Sequence, residues 1–310
     1  MRLLLMILTL SVVIAGCGSD GSGSSEQRES QLKIYTSIYP LQYFANRIGG
    51  EHVHAESIIP PGADGHTYEP TTKELIDIAE SDLLIYNGAG FEGFIDKAKQ
   101  SLGKQGVVFL NASKDIHSEA ESHENESEDE HSEHEHGDVD PHFWLDPIQS
   151  IQMSETIKKE MIKQHPELED EFEANFESLK KDLNELDQQF ENVVKNAKRK
   201  EFIVAHSAYG KWEERYGIKQ ISISGLSPSH EPSQKQAQAI IDYARTNDVP
   251  YIIFEKNFTS EIAEMIKNEV NAEKLYLSNL ESLTLEQLEN EEDYLSIMRE
   301  NIRTMKKALN

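Results

Sequence analysis

Between residues 168 and 193 the apolar positions recur in steps of three and four: Leu168, Phe172, Phe176, Leu179, Leu183, Leu186, Phe190 and Val193. That spacing lays them along one face of an α-helix. A helix over residues 167–197 spans roughly 45 Å at ~1.5 Å per residue, more than the ~30 Å width of a small domain. It either runs along the surface of one domain or acts as a strut between two. Its length and its position in mid-chain favour the strut.

On both sides of this helix, strand and helix patterns alternate. Residues 32–37, 52–59, 83–86 and 107–110 read as strands, and 40–48 and 91–102 as helices. Pro40 opens the first helix and Gly49-Gly50 closes it. Thr71 and Glu74 have the spacing of a capping box for another. Residues 148–163 are helical in pattern until His165-Pro166 interrupts them. Beyond the long helix, strands at 202–205, 220–223, 251–254 and 275–277 alternate with helices at 209–216, 233–247, 260–270 and 293–309. Such alternation implies βα units and parallel sheets. The expected class is therefore α/β, with two parallel-sheet lobes. The expected boundaries are a first lobe at 32–147, a linker helix region at 148–198 and a second lobe at 199–310. The length of 310 residues is enough for two medium domains.

The net charge of -26 argues against nucleic acid as a partner, because that affinity comes from neutralising phosphates. It favours the attraction of cations. The single cysteine, Cys17, excludes an internal disulfide and any zinc site built from several cysteines. Cys17 stands at the end of an apolar run that starts at Leu3. The run is short for a membrane span and has the shape of a signal peptide. Ile14-Ala15-Gly16-Cys17 resembles a bacterial lipobox, in which the cysteine is lipidated; residues 1–17 are then the signal and 18–31 a flexible tether. The expected location is the outer face of a bacterial cell membrane, held by that lipid.

Residues 117–139 form a polar tract of His, Glu, Asp and Ser without Lys or Arg, carrying His117, His123, His131, His134 and His136. Its composition reads as accessory metal binding, as a collector of weak sites. The bland alternative is a solvated loop whose charge maintains solubility.

Four further candidates occupy equivalent places after strands. His66 follows the second strand and His142 lies in the long connection after the fourth. His206 directly follows residues 202–205, and Glu281 follows the strand ending at Leu277. In open parallel sheets, ligands bind beyond the carboxyl ends of the strands. Two such lobes facing each other would bring all four groups into one cleft. Three imidazoles and a carboxylate make a tetrahedral zinc set, and four protein donors make a closed site rather than a catalytic one. His230 competes for the same role, although Ser229-His230-Glu231-Pro232 also reads as a loop entering the helix at Ser233. Singly, a loop histidine is usually just a polar loop residue. His52, His54 and His165 read as structural or surface residues.

Four motifs carry a family resemblance. Residues 61–70 (PGADGHTYEP), 140–147 (DPHFWLDP), 205–210 (AHSAYG) and 280–284 (LESLT) resemble, in order, the ligand segments of the metal-binding family of ABC-transporter solute-binding proteins. The resemblance covers nearly all of the chain after the tether. It implies two α/β lobes joined by a long, stiff helix, with metal bound between them by His66, His142, His206 and Glu281. It also implies a monomer delivering its metal to an ABC permease driven by a separate ATPase. The family varies at the fourth ligand between Glu, Asp and water. Histidine at 206 and the His-rich tract resemble the zinc branch; manganese members tend to carry a carboxylate at the third position, and oxygen-rich sites suit manganese. Gly65 stands where many members have Pro, and Lys211 where an aromatic is common; neither is expected to touch the ligands.

The chain is not expected to be an enzyme. His134-Glu135-His136-Gly137-Asp138 brushes against a metallohydrolase pattern, but Val139 stands where its third histidine belongs. There is no HExxH helix and no Gly-x-Ser-x-Gly elbow. The remaining alternatives are a surface adhesin or zinc buffer, and a manganese-binding homologue of the same transporter class, against which His206 argues. For a histidine-ligated zinc site, affinity is expected to fall as pH drops below about 6.5.

Overall fold

In the computed structural model, residues 31–116 and 139–310 are described. Cys17 and the tract residues His117, His123, His131, His134 and His136 lie outside them. Strands β1 (Leu32–Thr36), β2 (Val53–Ser57), β3 (Leu83–Tyr86) and β4 (Val108–Asn111) form one sheet in the order β2-β1-β3-β4. Strands β5 (Glu201–Val204), β6 (Lys219–Ser222), β7 (Tyr251–Glu255) and β8 (Glu273–Leu277) form a second in the order β6-β5-β7-β8. Every pairing is parallel. The central strands β3 (LLIY) and β7 (YIIFE) are nearly continuous apolar runs, as strands covered on both faces must be. The edge strand β2 (VHAES) alternates buried Val53 and Ala55 with exposed His54 and Glu56. In each sheet the chain goes first to one side of the opening strand and then to the other. That reversal opens a crevice at the carboxyl ends, where parallel sheets bind ligands.

The helices are α1 (Tyr39–Gly49), α2 (Thr72–Ala79), α3 (Ile95–Leu102), α4 (Pro147–Gln164), α5 (Glu169–Lys195), α6 (Gly210–Tyr216), α7 (Gln234–Thr246), α8 (Glu261–Val270), α9 (Leu285–Glu289) and α10 (Tyr294–Ala308). The Thr71–Glu74 capping box opens α2, with both reciprocal bonds formed. Two details depart from the sequence reading. The helix expected from residue 91 begins only at Ile95. Glu92 turns inward instead and accepts hydrogen bonds from Ser37 Oγ at 2.5 Å, Asn87 N at 2.6 Å and Gly88 N at 3.1 Å. The amides of this loop are thus bound to a buried carboxylate instead of entering a helix. The short helix α9 was not anticipated, although Thr284 and Gln287 form its capping box.

The long helix is α5, of 27 residues. It buries Phe172, Phe176, Leu179, Leu183, Leu186 and Phe190 as the spacing requires, and ends the stripe on Val194, with Val193 half-buried. It is tied to both halves. Arg47 of α1 donates to Asp182 at 2.7 Å. Arg215 of α6 grips Asp187 through two bonds, at 3.0 and 2.6 Å, and Tyr216 adds a third at 3.0 Å. A single apolar core runs from Leu32 through α5 to Leu309, so the two sheets share one interior. A smaller cluster, including Ile203, Ile241, Ile252 and Ile266, packs α7 and α8 on the second sheet.

Candidate metal centre

His66, His142, His206 and Glu281 meet at one point. One possible ligand atom from each lies within 4.8 Å of the others. His66 is held by an Asx-type turn, in which Asp64 Oδ1 accepts the His66 N–H at 2.9 Å and Oδ2 accepts the Thr67 hydroxyl at 3.1 Å. Asp140 performs a similar task for His142. Its Oδ1 accepts the His142 N–H at 3.0 Å and Nδ1–H at 2.7 Å, leaving Nε2 to face the centre. His206 follows β5 and donates Nδ1–H to Glu255 Oε1 at 3.0 Å. Glu281 follows Leu280, a buried leucine in the left-handed region at φ 64. A bulky side chain rarely adopts that backbone, and strain of this kind clusters at functional sites.

The distances suit a small cation. His66 Nε2 lies 3.2 Å from His142 Nε2 and 3.4 Å from Glu281 Oε1, and His142 Nε2 lies 3.7 Å from the same oxygen. Tetrahedral zinc with ~2.0–2.1 Å bonds has ligand–ligand edges of roughly 3.3–3.4 Å. Three of the four donors therefore already outline one face of such a tetrahedron. The fourth, His206, directs Nε2 to the Leu226 carbonyl oxygen at 2.8 Å. Phe91, 4.5 Å from the His66 ring between centroids, and Trp144, 5.2 Å from the His142 ring, wall the cluster.

The electrostatics follow from this crowding. Burial pushes the Glu281 carboxyl up, but hydrogen bonds from His142 and His66 and the nearby imidazoles outweigh it and hold the group well below the usual carboxylate range. Burial lowers His206, yet the charge and hydrogen bond of Glu255, with Glu281 beyond, raise it to about 9. His142 is likewise raised: burial lowers it, but the hydrogen bond to Asp140 and the neighbouring Glu281 carboxylate outweigh that. Each histidine that donates Nδ1–H to a carboxylate has its tautomer and ring plane fixed, an arrangement typical of metal-binding imidazoles.

His230 is outside the cluster, exposed on the loop before α7, whose N-cap is Ser233. His52, His54 and His165 pair with Glu171, Glu56 and Glu167 away from the centre. The expectation for Gly65 needs correction. Its N–H donates to Glu281 Oε2 at 3.1 Å, and a Cβ there would lie 2.6 Å from Phe91 Cζ. Proline could not make that bond. Lys211 donates to Glu214 and lies 5.1 Å from the Phe143 ring centroid, off the four clustered residues. Burial raises Asp140, but the hydrogen bonds and charge of His142, with Lys211 beyond, hold it below its usual range. Sequence reading missed Glu255 and Asn279. The signal for Glu255 was a carboxylate ending an otherwise apolar strand.

Residues 34–308 match the family described as zinc-uptake complex component A, periplasmic, ZnuA. The chain belongs to the ZnuA family. It is 34% identical to the high-affinity zinc uptake system protein ZnuA of Bacillus subtilis, over 99% of this chain and 97% of the relative. It is 30% identical to the zinc-binding lipoprotein AdcA of Streptococcus pneumoniae, over 92% of this chain but only 57% of AdcA. The chain thus spans little more than half of that relative. The zinc(II)-bound ZnuA-like domain of S. pneumoniae AdcA superimposes with a TM-score of 0.75 at 30% identity, covering 90% of this chain and 99% of the domain. The resemblance carried by the four motifs is borne out, as are the two parallel-sheet lobes and the long helix. The ZnuA family consists of uptake components rather than enzymes. Its cation, Zn2+, is the one that the His/Glu cluster of this chain fits.

Proposed function

We propose that this protein captures zinc outside the cytoplasm and passes it to the permease of an ABC importer powered by a separate ATPase. The observation that carries this reading is the convergence of His66 and His142 with His206 and Glu281, from loops of two different sheets. A ligand set completed by the protein leaves no position for an attacking water, so the geometry supports capture rather than hydrolysis. Three imidazoles favour zinc over manganese. We assign Cys17 as the lipid anchor on the outer face of the cell membrane, with residues 1–17 as signal and 18–31 as tether. The lobes are assigned to 32–147 and 199–310, with 148–198 linking them. The tract at 117–139 serves as an accessory collector of zinc, and the protein acts as a monomer. The test is growth under zinc chelation. Loss of the gene should halt growth, and added zinc or the wild-type gene should restore it, whereas a gene carrying H206A should not. Normal growth of the null strain in chelator would refute the assignment.

Proton competition supplies a second check. Zinc needs a neutral imidazole. His206, raised to about 9, is protonated below that value, so zinc must displace a proton throughout the neutral range. One displaced proton costs up to about tenfold in apparent affinity per pH unit. Affinity should therefore fall at least about 100-fold from about pH 8 to about pH 6, the raised His142 adding to the effect of His206, in contrast to the onset near 6.5 expected of an unperturbed imidazole. Competition titrations across that range would measure it. Equal affinities at both ends would remove His206 from the ligand set.

A further inference from the structure

Asn279 sits at the junction of all the supports of the cluster and carries no assigned role. It is buried, and every polar group of its side chain is used. Nδ2 donates to Glu281 Oε1 at 3.0 Å and to Glu255 Oε2 at 3.2 Å. Oδ1 accepts the Glu281 N–H at 3.2 Å and Asn257 Nδ2 at 3.4 Å. Its backbone carbonyl accepts Trp144 Nε1–H at 2.6 Å. One neutral amide therefore grips the carboxylate that faces His66 and His142, the carboxylate that orients His206, and the indole two residues beyond His142.

We propose that Asn279 is a positioning residue that fixes the spacing of the ligand set and thereby its preference for zinc over larger divalent cations. The inference rests on the zinc-binding reading given above. The physical reason lies in the geometry of Glu281. Gly65 N–H holds Oε2 at 3.1 Å while Asn279 holds Oε1, so the carboxylate is clamped from both sides. A clamped carboxylate offers one oxygen to the centre, as a four-coordinate ion requires. A freed carboxylate can turn to offer two, and larger oxygen-preferring cations accept more ligands. The same amide sets the distance between the Glu255–His206 pair and Glu281. Only a side chain with two N–H donors at this reach serves both carboxylates, and aspartate at 279 would set a third acceptor against them.

The experiment compares wild type, N279A and the near-isosteric N279D as purified protein. Zinc and manganese affinities are measured, together with the visible spectrum of bound cobalt(II), which reports coordination geometry. Loss of such an orienting partner typically weakens metal binding ~10–100-fold. N279A should show that loss for zinc with little change for manganese, so that the zinc-to-manganese ratio narrows. Its cobalt bands should weaken as tetrahedral geometry is lost. A lowered melting temperature with an unchanged ratio and cobalt spectrum would make Asn279 a structural filler and overturn the proposal. Should N279A not fold, N279D is read by the same two criteria, and failure of both to fold would likewise assign the residue a purely structural role. Wild-type protein without tight zinc binding would undo the functional reading itself. Tight wild-type binding with unaltered variants would undo only the role of Asn279.

Discussion

Replacing His206 by Ala is expected to weaken zinc binding by roughly 100- to 1,000-fold, about 3–4 kcal/mol. The imidazole is one of the four proposed donors, and losses at orienting partners alone already reach ~10–100-fold. The substitution also removes the Nδ1–H donor from Glu255, which keeps Tyr209 at 3.3 Å and Asn279 at 3.2 Å as its remaining partners. His66, His142 and Glu281 stay in place, so residual binding should persist with water completing the shell. Deleting residues 117–137 should leave the tight site intact, since the four residues proposed to hold it, His66, His142, His206 and Glu281, lie outside that tract in the sequence. Titration against a chromophoric chelator at fixed pH measures both variants. Wild-type affinity in H206A, or loss of all tight binding with the tract, would show that the interlobe cluster is not the zinc site.

The four converging residues could be anticipated because each lies within a recognisable motif in a connection that leaves the carboxyl end of a strand, His206 directly and His142 only after a long excursion. Topology then requires the loops to share the carboxyl end of a sheet. What supports them was less legible. Glu255 ends the apolar run YIIFE, where a periodicity reading registers only a buried strand. Asn279 lies in a loop two residues before Glu281, and its importance is set as much by Glu255 and Trp144, which are distant in sequence and on other elements. Gly65 was not expected to touch the ligands, whereas its backbone N–H, which a sequence pattern does not display, binds Glu281. The start of α3 was misplaced for a comparable reason. The pull of a buried carboxylate, Glu92, on the amides of Asn87 and Gly88 is a tertiary interaction that local propensity cannot show.

The same reasoning singles out Trp144 as the place where site and stability are most closely joined. Its indole is fully buried, 5.3 Å from the Phe91 ring and 5.2 Å from the His142 ring between centroids, and its N–H is bound to the Asn279 carbonyl at 2.6 Å. Its own carbonyl accepts Tyr294 Oη–H at 2.6 Å and Ser150 Oγ–H at 3.0 Å, linking α10 and α4. Trp144→Ala should therefore cost ~3–5 kcal/mol for the lost apolar contacts and the cavity. The Asn279 carbonyl, left without its donor, adds ~1–3 kcal/mol. Trp144→Phe separates these contributions in part, because an aromatic ring is retained while the N–H is lost together with the second ring of the indole. For a unit of this size, ~2–4 °C per kcal/mol implies a melting temperature lower by roughly 8–32 °C in the alanine variant and a smaller drop in the phenylalanine variant. Thermal unfolding in chelator, monitored by circular dichroism, reads both without a contribution from bound metal. If Trp144→Ala melts within about 2 °C of wild type, equivalent to less than ~1 kcal/mol, the indole does not join the two lobes. If Phe and Ala melt alike, the hydrogen bond to Asn279, rather than packing, would be what the tryptophan contributes.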